Sequence, residues 1–514
     1  MNTFFSSREP LDPRYFWIAC LIVCLIGFAL RLPTLDRSLW LDETYSAWFS
    51  ALPVHELWTK VPLYETHPPM YYTLLKGWST LFGTTEIAMR SLSVLASVMT
   101  ILLLAVSGKL LRAGGVGDRV ALLAALLLAV NAGHIEYAQQ ARPYALETLA
   151  ASVSILLSVI LLRAMQTQSG NLNLHKLLPV MLGLGLAVGM TLWLHDTAII
   201  IAFGIWAGLI LSVLIFVPGN RLVQAVAIGV PGIVALLVWS PFLPLFLAQA
   251  NHVQTMPFWI RSHWSDLIGA WNLAVGIGKP LLLLDGLIGL AGFVALWHSA
   301  RILSVHLITI LLLPLAFILF VNYLVKPIFI DRLFEWMAPS VMVLVAIGVM
   351  VGLQRVALRK WMTLAILLLS LVSVYRYYIY PTENWRHWLN FIASNARPGD
   401  LVITFSNEIE LPISYYASRR TSFPDVLYIP GPYPALGLNR RYIGNLGAPQ
   451  IVPADRQLID NALHDHHRVW FIERKDKGEI NQYDPQDLIR SRIFSSRKFV
   501  GEYGSGIIWV ELFD

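Results

Sequence analysis

Cysteine is nearly missing from this chain: two in 514 residues, Cys20 and Cys24, both inside one apolar run. Four apart, they share one helix face, where a disulfide within a single helix is geometrically poor. No loop holds a cysteine, so neither a disulfide framework nor cysteine-ligated zinc is available. A free pair of this kind packs a helix. Charge is scarce too. Asp, Glu, Lys and Arg make up 14% of the residues and apolar types 56%, with a mean hydropathy of +0.60. Soluble domains carry about a quarter charged residues, so this composition predicts an integral membrane protein. There is no Gly-rich phosphate loop, no internal repeat and no low-complexity tract.

What is present is apolar sequence in long pieces. About eleven runs are long enough to span a bilayer, near 15–32, 87–108, 119–136, 144–162, 177–194, 197–217, 222–247, 280–298, 303–324, 336–353 and 361–379. Tyr15 to Leu30 has the look of a signal-peptide core, but no small-residue cleavage site follows, so it is read as a retained span. The formal net charge of +6 is distributed for orientation and not for nucleic acid. The short connections on one side hold Arg8, Arg14, Lys109, Arg112, Arg119, Arg163, Lys176, Arg221, Arg301, Arg355, Arg359 and Lys360, with Glu9, Asp12 and Asp118 as their acids. The positive-inside rule places these, and the N-terminus, in the cytoplasm of a multi-pass plasma-membrane protein. The other side then receives Asp42, Glu43, His67, Glu136, Arg142, His195, Asp196, Lys279, Asp331, Arg332 and everything after about 380. That parity depends on the short 194–197 turn.

Beyond 380 the composition changes. ENWRHWLNFIASNARPGD reads as a polar helix stopped at Pro398-Gly399, and DLVITFS, DVLYI, HRVWFIE and SGIIWVELF read as strands. The expected organisation is a transmembrane region over 1–380, with a first outer loop over 33–86, and a soluble α/β domain over 381–514, periplasmic or extracellular. The His464-Asp465-His466-His467 cluster suits a solvated helix end better than a metal site, since neighbouring histidines on a helix point apart.

Two stretches carry chemistry. RLPTLDRSLWLDETYSAWFSA, Arg31 to Ala51, puts Asp42 and Glu43 at the start of an amphipathic helix whose apolar face is Leu41, Tyr45, Trp48, Phe49 and Leu52. Such a helix is expected along the bilayer surface. Asp42 is then either a helix cap or a working carboxylate. Downstream, Thr66-His67-Pro68-Pro69 fixes His67 in a turn before another helix. The aromatics Trp40, Tyr45, Trp58, Tyr64, Tyr71 and Tyr72 read mainly as an interface belt, or as surfaces for a sugar. His195-Asp196 reads as a tight polar turn. Arg142 and Arg332, each at the start of an apolar run, either snorkel, pair with Glu136 or Asp331, or bind an anion.

The order R-L-P, W-L-D-E, H-P-P-x-Y-Y, E-I-A-M-R-S-L-S, Y-A-Q-Q-A-R-P-Y-A-L-E over 15–165 resembles the polytopic GT-C glycosyltransferases of the protein O-mannosyltransferase and aminoarabinose transferase type. The tail does not resemble the lectin-like insert of eukaryotic protein mannosyltransferases. The resemblance implies a polytopic α-helical fold and inverting transfer of a hexosyl or pentosyl group from a polyprenyl-phosphate sugar. The acceptor is a hydroxyl on a lipid, glycan or protein, on the non-cytoplasmic face. It makes Asp42 the general base and Glu43 a second catalytic carboxylate that orients the acceptor or the neighbouring cation, with His67, Glu136, Arg142, Tyr144, Lys279, Asp331 and Arg332 as substrate-binding candidates. No cofactor or metal is required on this reading, although Asp42, Glu43 and Asp331 have the chemistry to take a divalent ion. Missing nucleotide motifs agree with a lipid-linked donor. The alternative is a transporter or flippase of a lipid-linked glycan. Transporters tend to hold ionisable groups near the midplane and to show related halves.

Overall fold

Helix dominates, as the apolar runs require. The computed structural model describes residues 11–65, 67–168, 172–255, 263, 265–418, 422–442, 447–474 and 483–514. Arg8, Glu9 and Thr66 of the sequence reading lie outside them. Among the described residues nine helices are long and apolar enough to cross a membrane, from Glu86–Leu110 to Val356–Ile379. A bent pair, Gly114–Ala129 with Ala132–Ala138, makes a tenth if it counts as one span, and the first apolar run forms the shorter helix Pro13–Ala29.

The sequence predicts one span over 119–136, but the structure breaks it by 64°. Asn131 is the cause. Its side-chain oxygen accepts the His134 N–H at 3.0 Å and starts a second, short helix. Gly133 in that helix lies against backbone, since a Cβ there would sit 2.6 Å from the Leu273 carbonyl oxygen. Helices Lys279–Ser299 and Ala338–Ile347 also meet backbone to backbone. A Cβ on Gly292 would fall 1.9 Å from Leu344 O, and one on Gly348 would fall 2.0 Å from Ile288 O. Small residues permit this approach between membrane helices.

The chain divides into two compact units. The helical bundle comprises Met1–Leu35, Arg90–Pro244 and Ile260–Ile379, and the second unit comprises Asp36–Met89, Leu245–Trp259 and Tyr380–Asp514. Within the second unit the tail builds a five-stranded sheet of order β2-β1-β3-β5-β4. The strands are β1 (Leu401–Phe405), β2 (Asp425–Tyr428), β3 (Val469–Arg474), β4 (Phe499–Ser505) and β5 (Ile508–Phe513). β1 runs parallel to β2 and β3, while β5 is antiparallel to β3 and β4. Alternate residues of β1 feed opposite faces, as a strand demands. Val402 joins Trp385, Leu389, Ile413 and Trp470 on one side. Leu401 and Ile403 join Ile459, Leu463, Phe471 and Ile489 on the other. The polar helix runs Trp385–Asn395 and stops short of Pro398. β4, F-V-G-E-Y-G-S, was not expected: two glycines interrupt its pattern, and its pairing with β5 supplies the order.

Candidate active site

The acidic helix, Leu41–Ala51, begins with two of its N–H groups claimed by the carboxylates of Glu43 and Glu383. Glu43 is fully buried, and its Oε2 accepts the Trp40 N–H at 3.2 Å. Glu383, from the segment after the last span, accepts the Leu41 N–H on Oε2 at 3.0 Å. Glu43 and Glu383 thus both cap this helix start, and Glu43, expected to orient the acceptor or a neighbouring cation, caps it from a buried position. Asp42 lies between these acids in the first turn and is half-buried.

The apolar face of this helix does not lie on a bilayer. Leu41, Tyr45 and Phe49 are buried against helices Pro69–Phe82 and Glu410–Ala417 of the same unit. The aromatics read as an interface belt are largely protein core. Tyr45, Tyr64, Tyr71 and Tyr72 are buried. Phe49 meets the Tyr72 ring at 4.8 Å, and Tyr433 packs edge-on against Tyr45 at 5.3 Å and Trp48 at 5.6 Å. Burial and the Glu408 carboxylate push the Tyr45 phenol well above its ordinary range, so it stays protonated and donates to Glu408 Oε1.

His67 sits in the turn before helix Pro69–Phe82, with Pro69 at its first position. Its Nδ1 makes a short contact with Glu65 Oε1, which also accepts the His67 N–H at 3.2 Å. Glu65 thereby fixes the ring's orientation. The sequence reading passed over it, although a Glu two residues before a constrained His is a detectable signal.

In the bundle, two of the expected residues, Arg142 and Arg332, gather around the ring of a third, Tyr144. Arg142 and Arg332 place their guanidinium carbons 5.9 and 6.0 Å from the centre of Tyr144. Both distances suit cation–π attraction. Tyr137 meets the same ring edge-on at 5.1 Å, and His195 lies 5.7 Å away. Arg142 comes just before Pro143, which precedes helix Tyr144–Thr167, while Arg332 lies in the 310 turn Asp331–Met337. Two spans far apart in sequence therefore present two cations to one aromatic. Asp331 caps locally, its Oδ1 accepting the Arg332 N–H at 2.7 Å, and it packs on Gly269, where a Cβ would sit 3.0 Å from Oδ2. Glu136 is an electrostatic neighbour of Asp331. His195, read as a turn residue, does terminate helix Leu174–Leu194, yet its ring belongs to the Tyr144 group. Lys279 opens helix Lys279–Ser299 and is exposed, and no described contact joins it to that group.

A buried chain of polar groups ends at Glu335, in the same turn as Arg332. Arg31 Nε donates to Ser97 Oγ at 2.6 Å, Ser97 Oγ lies 2.9 Å from His134 Nε2, and His134 Nδ1 lies 2.5 Å from Glu335 Oε1. It ties the short helix carrying Glu136 to the turn carrying Asp331 and Arg332. No motif announced it, because its members come from four separate elements. Among the described residues no three His, Cys, Asp or Glu side chains converge as metal ligands. His464, His466 and His467 pair separately with Asp465, Gly399 O and Asp514.

A polytopic helical bundle, an acidic helix in the first long loop and a small sheet domain match the architecture that the GT-C resemblance implies. The comparisons bear out that resemblance. The family model for dolichyl-phosphate-mannose-protein mannosyltransferase matches residues 66–244, a stretch that holds His67, Glu136, Arg142 and Tyr144. ArnT from Cupriavidus metallidurans superposes with a TM-score of 0.61 at 11% identity, covering 98% of both chains. The same protein bound to undecaprenyl phosphate gives 0.58 at 10% identity, again over 98% of both. The oligosaccharyltransferase AglB from Archaeoglobus fulgidus, in complex with an inhibitory peptide and a dolichol-phosphate, gives 0.55 at 13% identity, over 97% of this chain and 74% of its own. No curated protein matches in sequence.

Proposed function

We propose that this chain transfers a hexosyl or pentosyl group from a polyprenyl-phosphate donor to an acceptor hydroxyl, inverting the anomeric carbon, on the non-cytoplasmic face of the plasma membrane. Asp42 is the general base. The acceptor O–H gives its proton to the carboxylate, and the oxygen bonds to the anomeric carbon. The bond from that carbon to the phosphate oxygen breaks, and its electron pair leaves with polyprenyl phosphate. Arg142 and Arg332 hold the phosphate, where fixed cations stabilise the departing charge. Two guanidinium groups meet that charge, so the reaction asks for no metal.

The observation that carries this reading is the placement of Asp42: it is half-buried in the first turn of the acidic helix, on a helix start that Glu43 and Glu383 hold in place. The relatives support the donor class: one structure of the ArnT fold holds undecaprenyl phosphate, and one of AglB holds a dolichol-phosphate.

The test uses protein in nanodiscs, labelled polyprenyl-phosphate sugars and candidate hydroxyl acceptors. Wild type should transfer label, and Asp42→Asn, which keeps the shape but removes the base, should lose on the order of a hundredfold or more. Equal transfer by both proteins would refute the base assignment. Movement of intact lipid-linked sugar across sealed vesicles without transfer would make the chain a flippase. A chelator should leave the wild-type rate within about twofold, because the phosphate contacts are side-chain cations.

A further inference from the structure

The tail domain's part in the reaction follows from how it grips the acidic helix. Glu383 is buried and divides its two oxygens. Oε1 takes Arg474, at 3.1 Å from Nε and 2.9 Å from Nη2. Oε2 takes the Trp385 indole N–H at 2.8 Å and the Leu41 N–H at 3.0 Å. Leu41 is the residue immediately before Asp42. Arg474 ends β3 and Trp385 is wholly buried in the sheet core, so the cap is anchored to the rigid part of the domain. Tyr416 reinforces it two residues upstream, where its hydroxyl accepts the Leu39 N–H at 2.8 Å. Tyr45, one turn on, donates to Glu408. Three separate tail segments thus hold the backbone before Asp42 and the Tyr45 side chain after it.

We infer that Glu383, braced by Arg474, is a positioning residue for the catalytic base, and that the tail domain sets the position of the base. This rests on the reading of Asp42 as that base. The logic is geometric. A helix start with an unpaired N–H group frays, and a fraying first turn moves the carboxylate it carries. Displacements of about 1 Å at a reacting group cost up to about a hundredfold in rate. The donor's phosphate is held elsewhere, so this loss falls on turnover and not on donor affinity. Tail truncation would unfold too much to be informative, so point variants of the full chain are needed.

The experiment compares wild type with Glu383→Ala, Glu383→Gln and Arg474→Ala in nanodiscs. It reads kcat, donor KM, and amide hydrogen exchange over a peptide spanning 38–46. Glu383→Ala should lower kcat about tenfold or more with donor KM within about twofold, and should speed exchange at the helix start. Glu383→Gln keeps an acceptor for the Leu41 N–H and should recover part of the rate. Arg474→Ala should fall between the two. Unchanged exchange in Glu383→Ala would overturn the inference. So would fast exchange with full kcat, or a rise in KM at constant kcat. If Asp42→Asn retains wild-type transfer, the base reading itself fails, whereas the exchange data still report whether Glu383 holds the helix.

Discussion

At the scale of single residues, the informative contrast is between carboxylates that look alike in sequence. Asp42 and Glu43 are neighbours, yet Glu43 is fully buried and accepts the Trp40 N–H, while Asp42 is half-buried. The sequence showed the pair but not the assignment, because a cap is defined by which N–H a side chain reaches. Tyr144 poses the same kind of question. Its ring lies within cation–π distance of two guanidinium groups, those of Arg142 and Arg332. Cation–π attraction needs the ring alone. Tyr144→Phe should therefore bind undecaprenyl phosphate as wild type does, and Tyr144→Ala should bind it more weakly. Arg332→Lys keeps the charge but loses the planar fork, and charge-assisted hydrogen bonds are each worth about 1.5–3 kcal/mol. Its dissociation constant for undecaprenyl phosphate, read by tryptophan fluorescence, should rise about tenfold, with Arg332→Ala at least as weak. Unaltered affinity in Arg332→Ala would remove that residue from the phosphate site.

At the scale of elements, periodicity located the helices well, because a run of apolar residues long enough to cross a bilayer has few other fates. It failed where tertiary contact decides. The break at Asn131 depends on one side-chain oxygen finding the His134 N–H. The Tyr45 face, amphipathic by any count, is covered by protein and not by lipid, and periodicity alone does not distinguish the two. Backbone-to-backbone packing is equally silent in sequence, since glycine at Gly229 and at Gly348 reads the same. The structure separates them. A methyl on Gly348 would lie 2.0 Å from Ile288 O, whereas one on Gly229 meets nothing within 4 Å. Gly348→Ala must force two helices apart, and overpacking of this kind costs about 1–3 kcal/mol. Gly229→Ala lies in open space within a helix and should gain about 0.5–1 kcal/mol. Thermal unfolding in detergent should show the first variant melting several degrees lower and the second no lower than wild type. The reverse order would contradict the packing.

At the scale of the whole molecule, the fold type was legible from composition, run count and motif order, all of which register the bilayer as solvent. The buried Arg31–Ser97–His134–Glu335 chain was not, because it joins residues from four elements that only the folded bundle brings together. Orientation lies between these cases. Basic residues crowd one set of short connections, and the positive-inside rule predicts the cytoplasm for that set. The chain's poverty in cysteine makes this testable with little background. Cys20 and Cys24 both lie in helix Pro13–Ala29, so Cys20→Ala with Cys24→Ala gives a thiol-free protein. His464, whose side chain is 88% exposed, offers a labelling position in the tail domain, and Arg355, exposed ahead of helix Val356–Ile379, offers one in a basic connection. In intact cells a membrane-impermeant maleimide should label His464→Cys and leave Arg355→Cys untouched until the membrane is opened. The tail and the acidic helix belong to one compact unit, so the same result puts Asp42 on the outer side. Labelling in the opposite order would place the proposed base in the cytoplasm, and the acceptor would then have to be sought there.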